Sequence, residues 1–393
     1  MHNKIIYIKQ HSVFSSDGEN GRIWREEKHV SWLNEQQFLV SWWHSSFDHY
    51  NKIQRRGSIS INNVELKKFW VPKYKKNVSV LRLLGNILFS IQIFVNLIRL
   101  KNSYHTVICA YPTPESSFAA TLACVILKKR LITDVRDKWP EALVSEQRIS
   151  FKRFFFSLYV NLLNKVIFSH CKIFIGMSDG VLEKVKVAAK NEDKYKVITI
   201  PNTHEEKILK SKYQQSQIKK TRLTFFGTLN SQFTFDPLDN VCRHLEFKYP
   251  EILITIIGSG ERLEYYKQRF SKQKNIEFTG RLNHDDLLKI ADESFGFFCF
   301  YKDPVIYENH FTNKFVEYLT FGKPFIHNLS ADFTLNDIQY SVGTSLNDLS
   351  FVDFIEVHYD KFNKIRNDGL LRNFYEKKNK ELFISVIKNC HLP

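Results

Sequence analysis

Three clusters of residues have types and spacings that suit chemistry. The first is "NHFTNKFVEYLTFGKPFI", residues 309–326, where Lys314 and Glu317 stand at the opening of a helix that the spacing predicts over 312–320. A helix start exposes N–H groups and a partial positive charge, both of which attract phosphate. Glu317 follows Asn313 by about one turn, so it can reach a ligand held at that end. By pattern alone, a surface Lys-Glu pair on an ordinary amphipathic helix is slightly favoured. The second cluster is "ITDVRDKWPEAL", 132–143, which puts Asp134, Arg136 and Asp137 at the carboxyl end of an apolar strand, where α/β proteins build active sites. A surface Asp-Arg pair beside a helix start fits that spacing equally well. The third is "IIGSGERLEYY", with Gly258 and Gly260 between a strand and a helix. Glycine there lets a phosphate approach backbone N–H groups, and any tight β-to-α turn also needs it. Leu263 breaks the dinucleotide fingerprint, so NAD is not expected.

Metal chemistry has little to stand on. The six cysteines are scattered with no C-x-x-C pair, and no D-x-D occurs. A reduced, cytoplasmic setting without disulfides follows as the expectation.

The elements that must position these residues alternate. The runs "IIYIKQ", "QFLVSWW", "TVICA", "KRLITDV", "CKIFIGM" and "YKVITIP" read as strands separated by helix-length segments, as parallel crossovers require. A polar stretch over 205–220 reads as a linker. The same grammar then restarts with "RLTFFGTL", "ILITIIGSG", "NIEFTG" and "FGFFCF". The expected organisation is a first doubly wound α/β domain over 1–204 and a second over 221–375. A final helix over 376–393 is expected, with the first domain as the place it crosses back to.

At 393 residues the chain is long enough for both domains, and 43% apolar with 25% charged residues is ordinary for globular folds. The formal net charge of +16 is not ordinary and calls for an anionic partner. Residues 52–101 hold eleven Lys/Arg against the single acid Glu65, with aromatics and aliphatics interleaved. That composition suits an anionic membrane surface, and it also suits a solvated basic face over a buried helix. The longest apolar segment, 83–98, is interrupted by Asn86, Gln92 and Asn96 and reads as too short to span a bilayer.

"NKFVEYLTFGKPFI" resembles the P-N-K-x-x-E-Y-L-A-x-G-K-P-x-I block of retaining GT-B glycosyltransferases of family 4. "TDVRDKWPEAL" resembles the V-R-D-x-W-P-E segment of its bacterial capsule and O-antigen members. "YKVITIPN", "FFGTLN" and "IIGSGERLEYY…NIEFTGRLNHDDLLKIADE" follow in family order, so the resemblance covers most of residues 105–327. It implies the GT-B fold, two Rossmann-like domains facing across a cleft. The implied activity is metal-independent, retaining transfer of a hexosyl-type sugar from a nucleotide-diphosphate donor, UDP-sugar favoured, with no cofactor. The implied acceptor is a lipid-diphosphate-linked saccharide, handled at the cytoplasmic face of the inner membrane during surface-polysaccharide assembly.

The resemblance also implies roles. Thr312, Asn313 and the backbone after them would hold the donor diphosphate, with Lys314 beside it and Glu317 accepting from the ribose. Gly227 and Thr228 would let backbone approach the phosphates, and Arg281 would border the base. Arg136 and Asp137 would lie near the transferred sugar as catalytic groups. Gly18, Gly21 and Arg22 would form a loop near the acceptor or a phosphate. The chain departs from the family where its first conserved glutamate falls on Asn309, with Glu308 one position early. The basic residue expected after the G-x-L turn is replaced by "NSQFTF", and "PNTHEE" stands where relatives have P-N-G-V-D. These departures leave open a catalytically weak GT-B-like binding protein. A basic nucleic-acid-binding protein is the remaining rival, and no helix-turn-helix, zinc or RRM signature supports it.

Overall fold

The computed structural model describes residues 4–17, 23–55, 57, 59–61, 63–76, 79–140, 151–189, 195–203, 221–307, 312–321, 323–329, 339–341, 348–359 and 376–389. Its contacts divide the chain into two compact units, Met1–Pro201 with Lys380–Pro393, and Asn202–Asn379.

The first unit is a parallel sheet wrapped by helices. In chain order come β1 (Lys4–Ile8), α1 (Arg25–Glu35), β2 (Leu39–Ser45), the short pair β3 (Phe47–Asp48) and β4 (Ile53–Gln54), β5 (Val64–Phe69) and α2 (Val80–Arg99). Next are β6 (Thr106–Tyr111), α3 (Pro114–Ile126), β7 (Arg130–Val135), α4 (Phe151–His170), β8 (Ile173–Gly176), α5 (Asp179–Ala189) and β9 (Lys196–Thr199). The sheet runs β5-β2-β1-β6-β7-β8-β9, and every pairing in it is parallel. Strands buried on both faces must be apolar throughout, which is why "IIYI" and "TVICAY" show no alternation.

Each face of that sheet has its own core. On one side α2, α3 and α4 lie in order and bury Phe89, Ile93, Ala120 and Ile167 against Ile6, Trp43 and Val107. On the other, Val30, Trp32 and Leu33 of α1 pack with Phe383 and Ile387 of the chain's last helix against Ile5, Tyr7 and Ile132. The apolar segment read as too short to span a bilayer is part of a continuous 20-residue helix, α2, long and apolar enough by composition to cross a membrane. The interrupting polar residues do not end it, because each is bonded within the unit. Asn86 accepts from Gln10 (2.9 Å), Asn96 accepts from Lys67 (2.7 Å), and Gln92 donates to the Trp70 carbonyl (2.9 Å).

The second unit repeats the architecture with β10 (Arg222–Phe226), α6 (Leu238–Lys248), β11 (Leu253–Ile257), α7 (Leu263–Arg269), β12 (Ile276–Gly280) and α8 (His284–Glu293). It continues with β13 (Ser294–Cys299), α9 (Asn313–Thr320), β14 (Phe325–His327), β15 (Gln339–Ser341) and α10 (Asp348–His358). Its sheet order is β12-β11-β10-β13-β14-β15, again parallel. The core is built on phenylalanine: Phe225, Phe297, Phe298 and Phe325 of the sheet meet Phe315 and Tyr318 of α9. The last helix, α11 (Glu376–Asn389), enters the first unit from Lys380 onward.

Candidate active site

In the second unit the carboxyl ends of β10, β11 and β12 carry turns that interlock. Gly227 N–H donates to the Ile257 carbonyl (2.9 Å), Gly258 N–H to that of Gly280 (2.8 Å), and Leu229 N–H to that of Ser259 (3.0 Å). Gly227 and Gly258 adopt φ of +151° and +146°, open to glycine and strained for other residues. A Cβ on Gly258 would fall inside the Gly227 carbonyl oxygen. The turn after β10 is therefore bare backbone.

Lys314 lies against that turn. From the first turn of α9 its side chain reaches back to donate to the Phe226 carbonyl (3.0 Å), with Nζ 4.9 Å from the ring centroids of both Phe225 and Phe233. A Cβ on Gly227 would collide with Nζ. A side chain that the sequence left open between phosphate and solvent thus points to the glycine turn. Thr312 is buried at the helix opening, and its carbonyl accepts the first intrahelical bond, from Phe315 N–H (3.1 Å). Glu317 is half-buried one turn along. Thr228 and the exposed Arg281 follow β10 and β12, at the same strand-end edge as Gly227. The structure thus brings Gly227, Thr228, Arg281, Thr312, Lys314 and Glu317 to one edge of the sheet. Asn313 opens α9. Glu308 and Asn309 lie outside the described residues, as do Gly18, Gly21, Arg22 and the linker over 205–220.

The first unit holds a buried charge network at the same end of its sheet. Asp134, fully enclosed on β7, accepts from Arg25 (3.0 Å) and Arg136 (2.9 Å), with His29 Nδ1 4.0 Å away. Arg136 also donates to Glu26 (2.5 Å) and to the Tyr7 hydroxyl (3.2 Å), and Arg25 donates to the Ile200 carbonyl (2.7 Å). Burial opposes the charge on Asp134, yet Arg25 and Arg136 outweigh it and hold the carboxyl far below its usual range. On Arg136, burial is likewise outweighed by Glu26 and Asp134, so the guanidinium stays charged. Arg136 thus faces two carboxylates, which suits it to fix the strand-end geometry.

Next to this network lies a group that the sequence reading missed. Lys9 and His11 continue from β1, His49 follows β3, Tyr74 precedes α2, and Arg82 sits in its first turn. His11 and His49 stack at 4.6 Å, the Tyr74 hydroxyl is 2.5 Å from His49 Nδ1, and Arg82 lies 5.8 Å from the Trp139 ring. Neither ring nitrogen of His11 has a hydrogen-bond partner among the described residues. Burial and the neighbouring Arg136 bring Lys9 down to about 8; burial with Arg82 and Lys52 takes His49 to about 3. The only signal in the sequence was the Lys-Gln-His that ends the first apolar run. The others arrive from separate loops.

Asp137 is half-buried in the field of Lys9 and Arg136, and burial pushes its carboxyl up to about 6. A carboxyl whose folded pKa exceeds its unfolded one keeps its proton longer in the native state. Its ionisation therefore lowers stability as pH rises from about 4 through about 6. Asp137→Asn should be more stable than wild type by about 1–2 kcal/mol at about pH 8, with the difference vanishing near about pH 4. Urea unfolding at the two pH values checks this, and an equal difference at both would remove titration as the cause.

No family model matches the sequence, and no curated protein matches it either. Solved structures do. The chain is similar to HepE of Anabaena, solved in complex with UDP and glucose, at 11% identity and a TM-score of 0.64, covering 98% of this chain and 99% of that one. It is similar to sucrose-phosphate synthase of Thermosynechococcus elongatus at 11% identity and a TM-score of 0.70, over 98% of both chains. A third likeness is to the lipopolysaccharide outer core galactosyltransferase WaaB, at 14% identity and a TM-score of 0.59, over 98% of this chain and 99% of that one. These proteins share two Rossmann-like units in one polypeptide, and the fold of this chain is GT-B.

Proposed function

We propose that the protein is a glycosyltransferase that moves a hexosyl-type sugar from a nucleotide-diphosphate donor, a UDP-sugar above others, with retention and without a metal ion. The observation that carries this reading is the second-unit edge, where a bare glycine turn, the Lys314 ammonium and the opening of α9 converge. Breaking the anomeric C–O bond leaves negative charge on the departing diphosphate. Preorganised N–H dipoles and a fixed cation oppose that charge without reorganising. Glu317 would accept from the ribose hydroxyls, Arg281 would border the base, and Glu308 or Asn309 would touch the donor sugar.

The acceptor in this reading is a lipid-diphosphate-linked saccharide of capsule or O-antigen assembly, in the manner of family 4. Lys9, Lys52 and Arg82, converging around His11 and His49, supply the positive field its diphosphate needs. The protein would work in the cytoplasm, peripherally attached to the inner membrane. A GT-B-like binding protein without transfer is the second reading, favoured by Asn309 and by "NSQF" after the β10 turn.

A thermal-shift panel of UDP-, GDP-, ADP- and TDP-sugars without metal tests the donor site. At about 100 times the dissociation constant, a true donor should contribute about 2.7 kcal/mol to the wild type. Glu317→Ala should lose most of that shift. No shift with any nucleotide would sink the donor assignment, and a shift without turnover would favour the binding protein.

A further inference from the structure

The outer face of the α2–α3–α4 layer has no counterpart elsewhere in the described chain. Val80, Leu81, Leu84, Ile87, Ile91 and Val95 are 36–73% exposed and recur at three- and four-residue steps, so they form one stripe along α2. Leu122, Val125 and Ile126 of α3 are exposed beside them, and Phe154, Leu158 and Leu162 of α4 extend the surface. The three helices pack side by side on one face of the sheet, which joins the stripes into a single apolar platform. Patches of this extent on a protein surface mark an interaction site.

The polar residues of α2 turn away from this platform. Asn86, Gln92 and Asn96 bond to Gln10, Trp70 and Lys67 within the unit, so the outward face is left apolar. The inward face, with Phe89, Ile93 and Leu97, is packed on the sheet. α2 cannot leave to cross a bilayer without tearing that core. It can lie in a bilayer surface with one face buried in protein and the other in lipid.

Charge selects the occupant. Lys73, Lys75 and Lys76 are exposed just before α2, Lys101 and Lys128 just beyond α2 and α3, and Lys165 on α4. No acidic residue occurs in 66–114, 116–133 or 147–178, and Glu115 is buried. Meanwhile Arg55, Lys67 and Lys68, part of the basic stretch 52–101, are bonded to Asp48, Asn96 and Gly57 within the unit. We infer that the α2–α3–α4 face is a bilayer-insertion platform, apolar at its centre and rimmed by lysines, that seats the first unit on anionic phospholipid. Because α2 and α4 each follow a strand, their first turns lie at the sheet edge that carries Lys9, His11 and Arg136. On the proposed function, this places the lipid surface beside the acceptor groups.

Co-sedimentation with vesicles of phosphatidylglycerol and phosphatidylcholine tests the platform. Wild type should bind, and high salt should weaken binding without abolishing it, because apolar insertion is not screened. Leu84→Gln/Ile91→Gln, at two exposed positions, should weaken it at least about tenfold while lipid-free melting stays unchanged. No vesicle binding by wild type, binding abolished by salt, or binding indifferent to the double variant would each overturn the inference. A lipid-free dimer that the double variant splits would assign the face to a second copy and overturn it too. UDP-sugar thermal shifts on the same samples separate the two readings: vesicle binding without any donor shift would remove the donor assignment and leave the platform standing.

Discussion

Asp134→Ala is expected to unfold the first unit or bring it close to unfolding. The carboxylate is completely enclosed and receives both Arg25 and Arg136, so its removal leaves two guanidiniums facing each other away from water. Breaking a buried pair from one side costs about 3–5 kcal/mol, against a total stability of about 5–15 kcal/mol for a domain. The pH dependence gives a second reading of the same group. Its folded pKa is depressed, so its stabilisation is complete above about pH 4 and is lost as pH falls below that value. The gap between wild type and Asp134→Ala in a denaturant titration should therefore narrow in acid. A gap that is small at neutral pH would mean that water reaches the network.

Gly258→Ala is expected to be almost as damaging to the second unit. The new methyl would occupy the place of the Gly227 carbonyl oxygen, a rigid backbone atom, at a φ of +146° that alanine avoids. Backbone strain of about 1–3 kcal/mol adds to the cost of parting two interlocked turns, for a total of about 3 kcal/mol or more. Gly280→Ala is the matched control, because its φ of +75° is also unfavourable but a Cβ there meets nothing within 4 Å. It should cost only about 1 kcal/mol. If the two variants melt alike, contact between the turns is not what demands glycine at 258.

The fold could be read from the sequence because parallel strands covered on both faces must be apolar end to end. "IIYI", "TVICA" and "LITII" declare themselves without any partner. The second-unit edge was legible in part for a related reason: a glycine turn and a helix opening leave local marks, as at Gly258 and at Lys314 and Glu317, whereas Gly227 entered through the family resemblance. Only half of the first-unit network left such a mark: Asp134 and Arg136 stand out at the end of their strand, and their partners do not. Arg25, Glu26 and His29 lie on a helix more than 100 residues before Asp134 and Arg136, and nothing in "WREEKHV" distinguishes it from a solvated helix start. The outer face of α2 was hidden differently. Its asparagines and glutamine read as polar interruptions of an apolar run, whereas side-chain direction decides which face they occupy.

The first unit is made of two stretches of chain, 1–201 and 380–393, and the second contributes everything between them. Phe383 stacks on His29 at 4.1 Å, and Arg130 donates to the Ile387 carbonyl (2.6 Å), so the last helix belongs to the core of the first sheet. During synthesis the amino-terminal stretch emerges first, yet its α1 face stays uncovered until the residues from 380 onward have been made. By then every residue of the intervening unit has already been made. Of the two units, the one that is begun first is thus the one completed last. A nascent chain stalled or cut before residue 380 would leave Val30, Trp32 and Leu33 without that cover and present them to the cell's quality control.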